Sequence, residues 1–243
     1  MELTRENYNE TAKELLAFLQ NSPSCFHAVK NVTDMLTAAG FTEVKEEESW
    51  ELKAGGRYFV TRNQSSVIAF KIPGKDFKGF QIMASHSDSP AFKIKENPEM
   101  EAAHCIKLNV EKYGGMICAP WFDRPLSIAG RLVVSEGSRL VSKLVNVDRD
   151  LVMIPNLAIH MNRQVNDGYA YNAQKDMLPV FGSLEAKGTF MSLMAEAAGV
   201  KEEDILGHDL FLYNRQPGTI WGADETFLSC GRLDDLQCAF SSV

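Results

Sequence analysis

The sequence predicts an α/β protein with a second, mainly β module set inside it. Three observations carry that prediction. Two amphipathic helical patterns open the chain, and short apolar runs of β character follow them. A long middle stretch then alternates β-branched and polar residues before helix and strand patterns return.

From Arg5 to Gln20 the apolar residues Tyr8, Ala12, Leu15, Leu16 and Leu19 recur at spacings of three and four, as one face of a helix requires. Asn21-Ser22-Pro23 ends it and starts the next helix, with Ser22 as the cap and Pro23 at the first helical position. The second helix carries Phe26, Val29, Val32, Met35 and Leu36 and stops at Gly40. Three β-like runs follow at 58–60, 66–70 and 79–84, each bounded by Gly, Pro, Asn or Lys. The third leads into Ser85-His86-Ser87-Asp88-Ser89-Pro90, at the carboxyl end of a strand, where open α/β sheets gather their ligands. From about 91 to 182 the pieces are short, as in Lys107-Leu108-Asn109-Val110 and Arg131-Leu132-Val133-Val134. Gly114-Gly115, Glu136-Gly137-Ser138 and Asn166-Asp167-Gly168 punctuate them as turns. A helix over 189–198, a strand over 209–213 and a helix from about 232 complete the pattern.

Composition narrows the function classes. The 243 residues carry a net charge of −7, with 45% apolar and 23% charged residues, ordinary for a globular chain. The acidic balance argues against nucleic acid and against an anionic membrane surface. No apolar run approaches the ~20 residues of a bilayer span. The N-terminus lacks the basic and apolar blocks of a signal peptide. Cys25, Cys105, Cys118, Cys230 and Cys238 are scattered, with no Cys-x-x-Cys pair, which fits free thiols and a cytoplasmic location.

The residues that could carry chemistry have ordinary readings beside their functional ones. A neutral His86 is a good zinc ligand, and Asp88, two positions on, is placed to hold its second ring nitrogen. Equally, both serve as turn residues before Pro90. Asp234 and Asp235, at the start of the last helix, suit capping as well as metal binding. His160 ends the apolar segment Ile154-Pro155-Asn156-Leu157-Ala158-Ile159, where a lone histidine is commonly structural. His104 and His208 read as surface residues. Cys25 and His27, two apart on a helix, make a poor nucleophile–base pair. No nucleophile elbow, phosphate loop or dinucleotide fingerprint is present.

Taken together, these segments resemble the aspartyl aminopeptidase and vacuolar aminopeptidase I family of dinuclear zinc metallopeptidases. The resemblance rests on Pro23-Ser24-Cys25-Phe26-His27-Ala28-Val29, Ala38-Ala39-Gly40-Phe41, Ser85-His86-Ser87-Asp88-Ser89-Pro90, Tyr113-Gly114-Gly115 and Trp121-Phe122-Asp123-Arg124. It continues through Ile154-Pro155-Asn156-Leu157-Ala158-Ile159-His160, Gln216-Pro217-Gly218 and Arg232-Leu233-Asp234. The blocks stand in family order along almost the whole chain.

The resemblance implies a sheet-and-helix zinc-exopeptidase catalytic domain, here incomplete, with an inserted β-rich dimerisation domain. Residues 1–97 would be the first part of the catalytic domain, 98–216 the insertion and 217–243 the return. It implies a two-zinc site, one that also accepts cobalt or manganese. His86 is then the first metal ligand, Asp88 the carboxylate that orients it and Asp234 the carboxylate bridging both ions. His160 is presented by the insertion to a neighbouring subunit's active site. The implied reaction removes N-terminal residues, acidic ones among them, from peptides, in a homo-oligomer.

The departures from the family pattern are local. Ser87 stands in place of Thr, Pro125 in place of Asp and Asp235 in place of Asn. In the family, a Glu-Glu pair, an Asp and a His follow the Arg-Leu-Asp block and supply the general base and remaining ligands. The expectation is that these lie beyond Val243, since Glu202-Glu203 precedes Asp234. The alternative is a non-catalytic oligomerisation or regulatory module.

Overall fold

The computed structural model describes residues 4–74 and 76–243; Met1 to Leu3, where the segment read for a leader begins, lie outside the described residues. In chain order the elements are α1 (Arg5–Gln20), α2 (Cys25–Ala38), β1 (Thr42–Glu43), β2 (Arg57–Arg62), β3 (Ser66–Lys71), β4 (Ala91–Ala102) and β5 (Cys105–Tyr113). There follow β6 (Leu126–Glu136), β7 (Arg139–Asn146), β8 (Val180–Ser183), α3 (Phe190–Ala198), β9 (Ile205–Asn214), β10 (Thr219–Trp221), β11 (Phe227–Ser229) and α4 (Leu233–Ser242). Two compact units result, one made of residues 1–89 and 217–243, the other of 90–216. The α/β class is the one expected.

In the first unit, the Thr4 hydroxyl accepts from the Asn7 N–H while Asn7 reaches back to Thr4, a reciprocal cap that fixes the start of α1. α1 begins and ends where its periodicity puts it, but Tyr8 is exposed and the buried residues Phe18 and Leu19 lie in its last turns. α2 starts later than expected. Ser24, not Ser22, occupies the cap position, so Pro23 stands outside the helix. Ser22 is buried and instead accepts a hydrogen bond from Asn31 at 3.0 Å. Phe18, Leu19, Ala28, Val32, Leu36 and Phe59 join Leu236 and Ala239 of α4 in one core. Each fully buried leucine here contributes roughly 1.5–3 kcal/mol.

The sheet of this unit has order β1-β2-β3, with β2 antiparallel to β3 from Arg57↔Lys71 to Arg62↔Ser66. Residues 79–84, expected as a further strand, form none, and Phe80, Ile82 and Met83 are 72%, 81% and 68% exposed. A strand exists only where another backbone supplies its ladder of hydrogen bonds. Among the described residues none pairs with this segment.

The second unit is a six-stranded sheet of order β7-β6-β9-β4-β5-β8, antiparallel throughout. At its centre β6 and β9 run together from Leu126↔Asn214 to Val133↔Gly207. Gly130 permits this close approach, because a Cβ there would meet the Asp209 carbonyl oxygen at 2.0 Å. Phe92, Ile94, Leu126, Ile128, Leu132, Leu210 and Leu212 fill the core with Phe190 and Met194 of α3. α3 has no side-chain cap of its own. Glu99, just past a bulge in β4, accepts from the N–H groups of Gly188 and Phe190 at 2.6 and 2.9 Å and does that work from another element.

His208, expected on the surface, is buried, with its side chain 3% exposed and neither ring nitrogen hydrogen-bonded. It shares strand parity with Leu210 and Leu212, which face the core. Burial pushes its pKa down and outweighs the pull of Glu96 and Asp209, so the ring is held neutral. Beside it, Asp209 accepts from Lys93 at 2.8 Å and from Arg131 at 2.9 Å. Partial burial raises the Asp209 pKa, but these two cations more than offset it and hold the carboxyl below its usual range.

Candidate metal centre

Two parts of the first unit, far apart in sequence, build the site. One is the loop over 85–90 and the other is the start of α4. Ser87 anchors the loop by donating its hydroxyl to the Ser65 carbonyl at 3.1 Å, next to the β2–β3 turn. The helix is anchored by Arg232, whose guanidinium donates to the Leu19 carbonyl at 2.8 Å, at the end of α1. Arg232 takes a left-handed conformation at φ 65°, and Asp234 keeps extended angles (φ −87°, ψ 107°) before the helix settles. The backbone therefore turns at Asp234, and that side chain is 77% exposed.

His86 lies between the two parts. Its Nδ1 is 3.0 Å from the Asp88 carbonyl oxygen and 3.1 Å from Asp88 Oδ1. Both partners are acceptors, so Nδ1 carries the proton and the Nε2 lone pair is left for another group. Nε2 faces Asp234 Oδ1 at 3.5 Å and Asp235 Oδ2 at 3.7 Å. The His86 backbone N–H donates to Asp235 Oδ2 at 3.2 Å. Desolvation works against a charged ring, but Asp88 and Asp235 outweigh it and push the His86 pKa up. The Asp235 carboxyl is held below its usual range, first by a hydrogen bond from the Cys238 thiol and then by the His86 N–H.

The donor set suits a zinc ion. His86, Asp234 and Asp235 each offer one atom such that all three lie within 4.8 Å of one another. Donor atoms around a tetrahedral zinc with bonds of about 2.0–2.1 Å stand about 3.3 Å apart. The 3.5 Å between His86 Nε2 and Asp234 Oδ1 is close to that spacing. Imidazole nitrogen and carboxylate oxygen are common zinc donors, and His86 already has an acceptor on its other nitrogen, as ligating histidines generally do.

The match to known proteins decides the family. Residues 18–243 match the profile of the Aminopeptidase I zinc metalloprotease (M18) family. The chain belongs to the M18 aminopeptidase family. A probable M18 family aminopeptidase 2 from Clostridium acetobutylicum is 48% identical over 248 residues, covering 98% of this chain and 57% of the relative. A counterpart from Clostridium novyi is 41% identical, again over 98% of this chain and 57% of its own length. The chain thus spans little more than half the length of these curated relatives. Among solved structures, that of an Ape4 and Nbr1 complex superposes with a TM-score of 0.91 at 33% identity, covering 99% of this chain and 51% of that one. The S. cerevisiae mApe1 dodecamer superposes at 0.81 and 27% identity, covering 97% of this chain and 55% of that one.

Of the M18 residues singled out in the sequence, His86, Asp88 and Asp234 come together in the first unit. His160 lies in the second unit, exposed on a turn whose neighbours Leu157, Ile159 and Met161 are themselves 55%, 47% and 76% exposed. The contacts that sequence reasoning missed are those of Asp235 and Cys238. His86 and Asp235 are 149 positions apart, so no local pattern joins them. The spacing of three between Asp235 and Cys238 on α4 was the available signal. Cys25 is half-buried, and His27 hydrogen-bonds Ser24, with Nδ1 to Oγ at 2.8 Å.

Proposed function

We propose that this chain supplies the first ligands of a two-zinc aminopeptidase that removes N-terminal residues, acidic ones among them, from peptides. The observation that carries the reading is the placement of His86 Nε2 against Asp234 with Nδ1 held by Asp88. The chemistry a zinc pair supplies is polarisation of the scissile carbonyl and activation of water. His86 binds through Nε2. Asp88 keeps the proton on Nδ1 and fixes the ring's direction. Asp234, with its side chain exposed and Oδ1 facing His86 Nε2, would be the carboxylate the two ions share.

Residues 98–216 are read as the inserted dimerisation domain, and His160 as the residue it presents to a neighbouring subunit's substrate. The exposed apolar turn around His160 supports that reading, since such a turn suits a subunit contact. A relative is described as a dodecamer, and a homo-oligomer is proposed here on the same footing. No helix among the described residues is long and apolar enough to cross a membrane, and a cytoplasmic location is proposed from the scattered cysteines, which form no Cys-x-x-Cys pair. The general base and remaining ligands are assigned to sequence that, in the relatives, follows the Arg-Leu-Asp block. The second unit's self-contained core also supports the reading of an oligomerisation module.

The test is a chimera. This chain is joined to the part of the Clostridium acetobutylicum relative that lies beyond the match, and assayed on Asp-, Glu- and Leu-anilides. Chelator-sensitive release, abolished in His86→Ala, is expected. Release that survives both the chelator and His86→Ala would overturn the proposal.

A further inference from the structure

We infer that Asp235 is a positioning residue, a clasp that ties His86 to the start of α4, and not itself a metal ligand. The inference rests on the metal-centre reading above and refines it.

The two adjacent acids behave differently. Asp234 is 77% exposed at its side chain, whereas Asp235 is 19% exposed. Asp235 Oδ2, its oxygen nearest to His86 Nε2, already accepts the His86 backbone N–H at 3.2 Å. A carboxylate oxygen that already accepts a backbone N–H has less lone-pair capacity to offer an ion, and its direction is set by that donor. Asp234 Oδ1, on an exposed side chain, sits at ligand spacing from Nε2.

The consequence is mechanical. His86 is held at two points, through Nδ1 by Asp88 and through its N–H by Asp235. Asp235 adjoins Asp234 in the chain, so the bond that fixes His86 also sets the distance between His86 Nε2 and the Asp234 carboxylate. Without that bond, the loop over 85–90 would lose its tie to α4. Outer residues that orient ligands in this way typically change metal affinity 10–100-fold when removed.

The experiment compares zinc affinity, by competition with a chromophoric chelator, across variants of this chain with unchanged circular dichroism. Asp235→Asn keeps an oxygen that can accept the His86 N–H, and is expected to bind zinc within about 3-fold of the parent. Asp235→Ala removes the clasp and is expected to weaken binding at least 10-fold. Asp234→Asn removes a ligand charge and is expected to weaken it more than Asp235→Asn does.

A loss in Asp235→Asn equal to that in Asp234→Asn would make Asp235 a ligand and overturn the inference. So would parent-like affinity in Asp235→Ala. Should Asp235→Ala fail to fold, hydrogen exchange of the His86 amide in the zinc-free chain decides. Protection retained in Asp235→Asn and lowered in Asp235→Leu, which keeps side-chain bulk without an acceptor, supports the clasp, while unchanged protection in Asp235→Leu contradicts it. That metal-free readout fails or succeeds independently of the zinc site, whereas unchanged zinc binding in His86→Ala would remove the site itself.

Discussion

Apolar residues are placed differently in the two units. In the second, the side chains that alternate toward the core, among them Leu126, Ile128, Leu132 and Leu210, are fully buried under a six-stranded sheet and α3. In the first, a three-stranded sheet and three helices enclose a smaller core, while Ile68, Phe80, Ile82 and Met83 stand 66–81% exposed. The sequence signal was equally strong in both places. Among the described residues, the run over 79–84 of the first unit has no partner strand, whereas the strands of the second unit all pair. An apolar, strand-like segment without a ladder partner stays in water and becomes a liability for self-association.

The comparison breaks most directly at the second unit's core. Phe190→Ala, at a side chain 1% exposed, should cost about 3–5 kcal/mol. A urea titration should show that loss in the transition of the second unit, with the first unit's transition unmoved. Asp209→Asn removes the charge that Lys93 and Arg131 hold and should cost roughly 2 kcal/mol at neutral pH. The depressed carboxyl works in the same direction. Its contribution is complete above its unfolded pKa and is lost as pH falls through the folded value, so the Asp209→Asn penalty should shrink in acid.

The first unit has its own titrating group. Burial lowers His27 to about 4 from 6.5. A histidine depressed on folding contributes stability above its unfolded pKa, so the first unit should weaken as pH falls from 6.5 toward 4. The slope is at most about 1.4 kcal/mol per pH unit. Urea midpoints of the first transition, read at pH 7 and pH 5, should separate, and His27→Gln should bring them together. At the small end, Ile82→Ser should leave stability within about 0.5 kcal/mol, because the side chain is 81% exposed. It should also reduce self-association in sedimentation velocity. A large loss of stability there would mean that the segment is buried after all, and the contrast between the units would fall.

What the sequence made legible follows the range of the interactions involved. The bounds of α1 came from spacing alone, because Leu15, Leu16 and Leu19 encode a helix within a few turns. The runs 58–60 and 66–70 became β2 and β3, since each is the other's partner across a short turn. The run 79–84 looked no different, yet being a strand is a property of a pair, and the pair is not among the described residues. His208 was misread although the signal was present, because its parity with Leu210 and Leu212 pointed to the core. At the site, the His86–Asp88 pair was legible at a spacing of two. The meeting of His86 with Asp234 followed only from the resemblance to a family. That Asp235 adds a negative charge near the metals came from the same resemblance, whereas its bond to the His86 N–H, 149 positions away, was not legible.

The central claim is that His86 and Asp234 hold one metal ion between them. Zinc titration of the parent chain, His86→Ala and Asp234→Asn against a competing chelator measures this directly. The account predicts binding by the parent that falls at least 10-fold in each variant, as loss of a direct ligand requires. Equal affinity in all three proteins would contradict it.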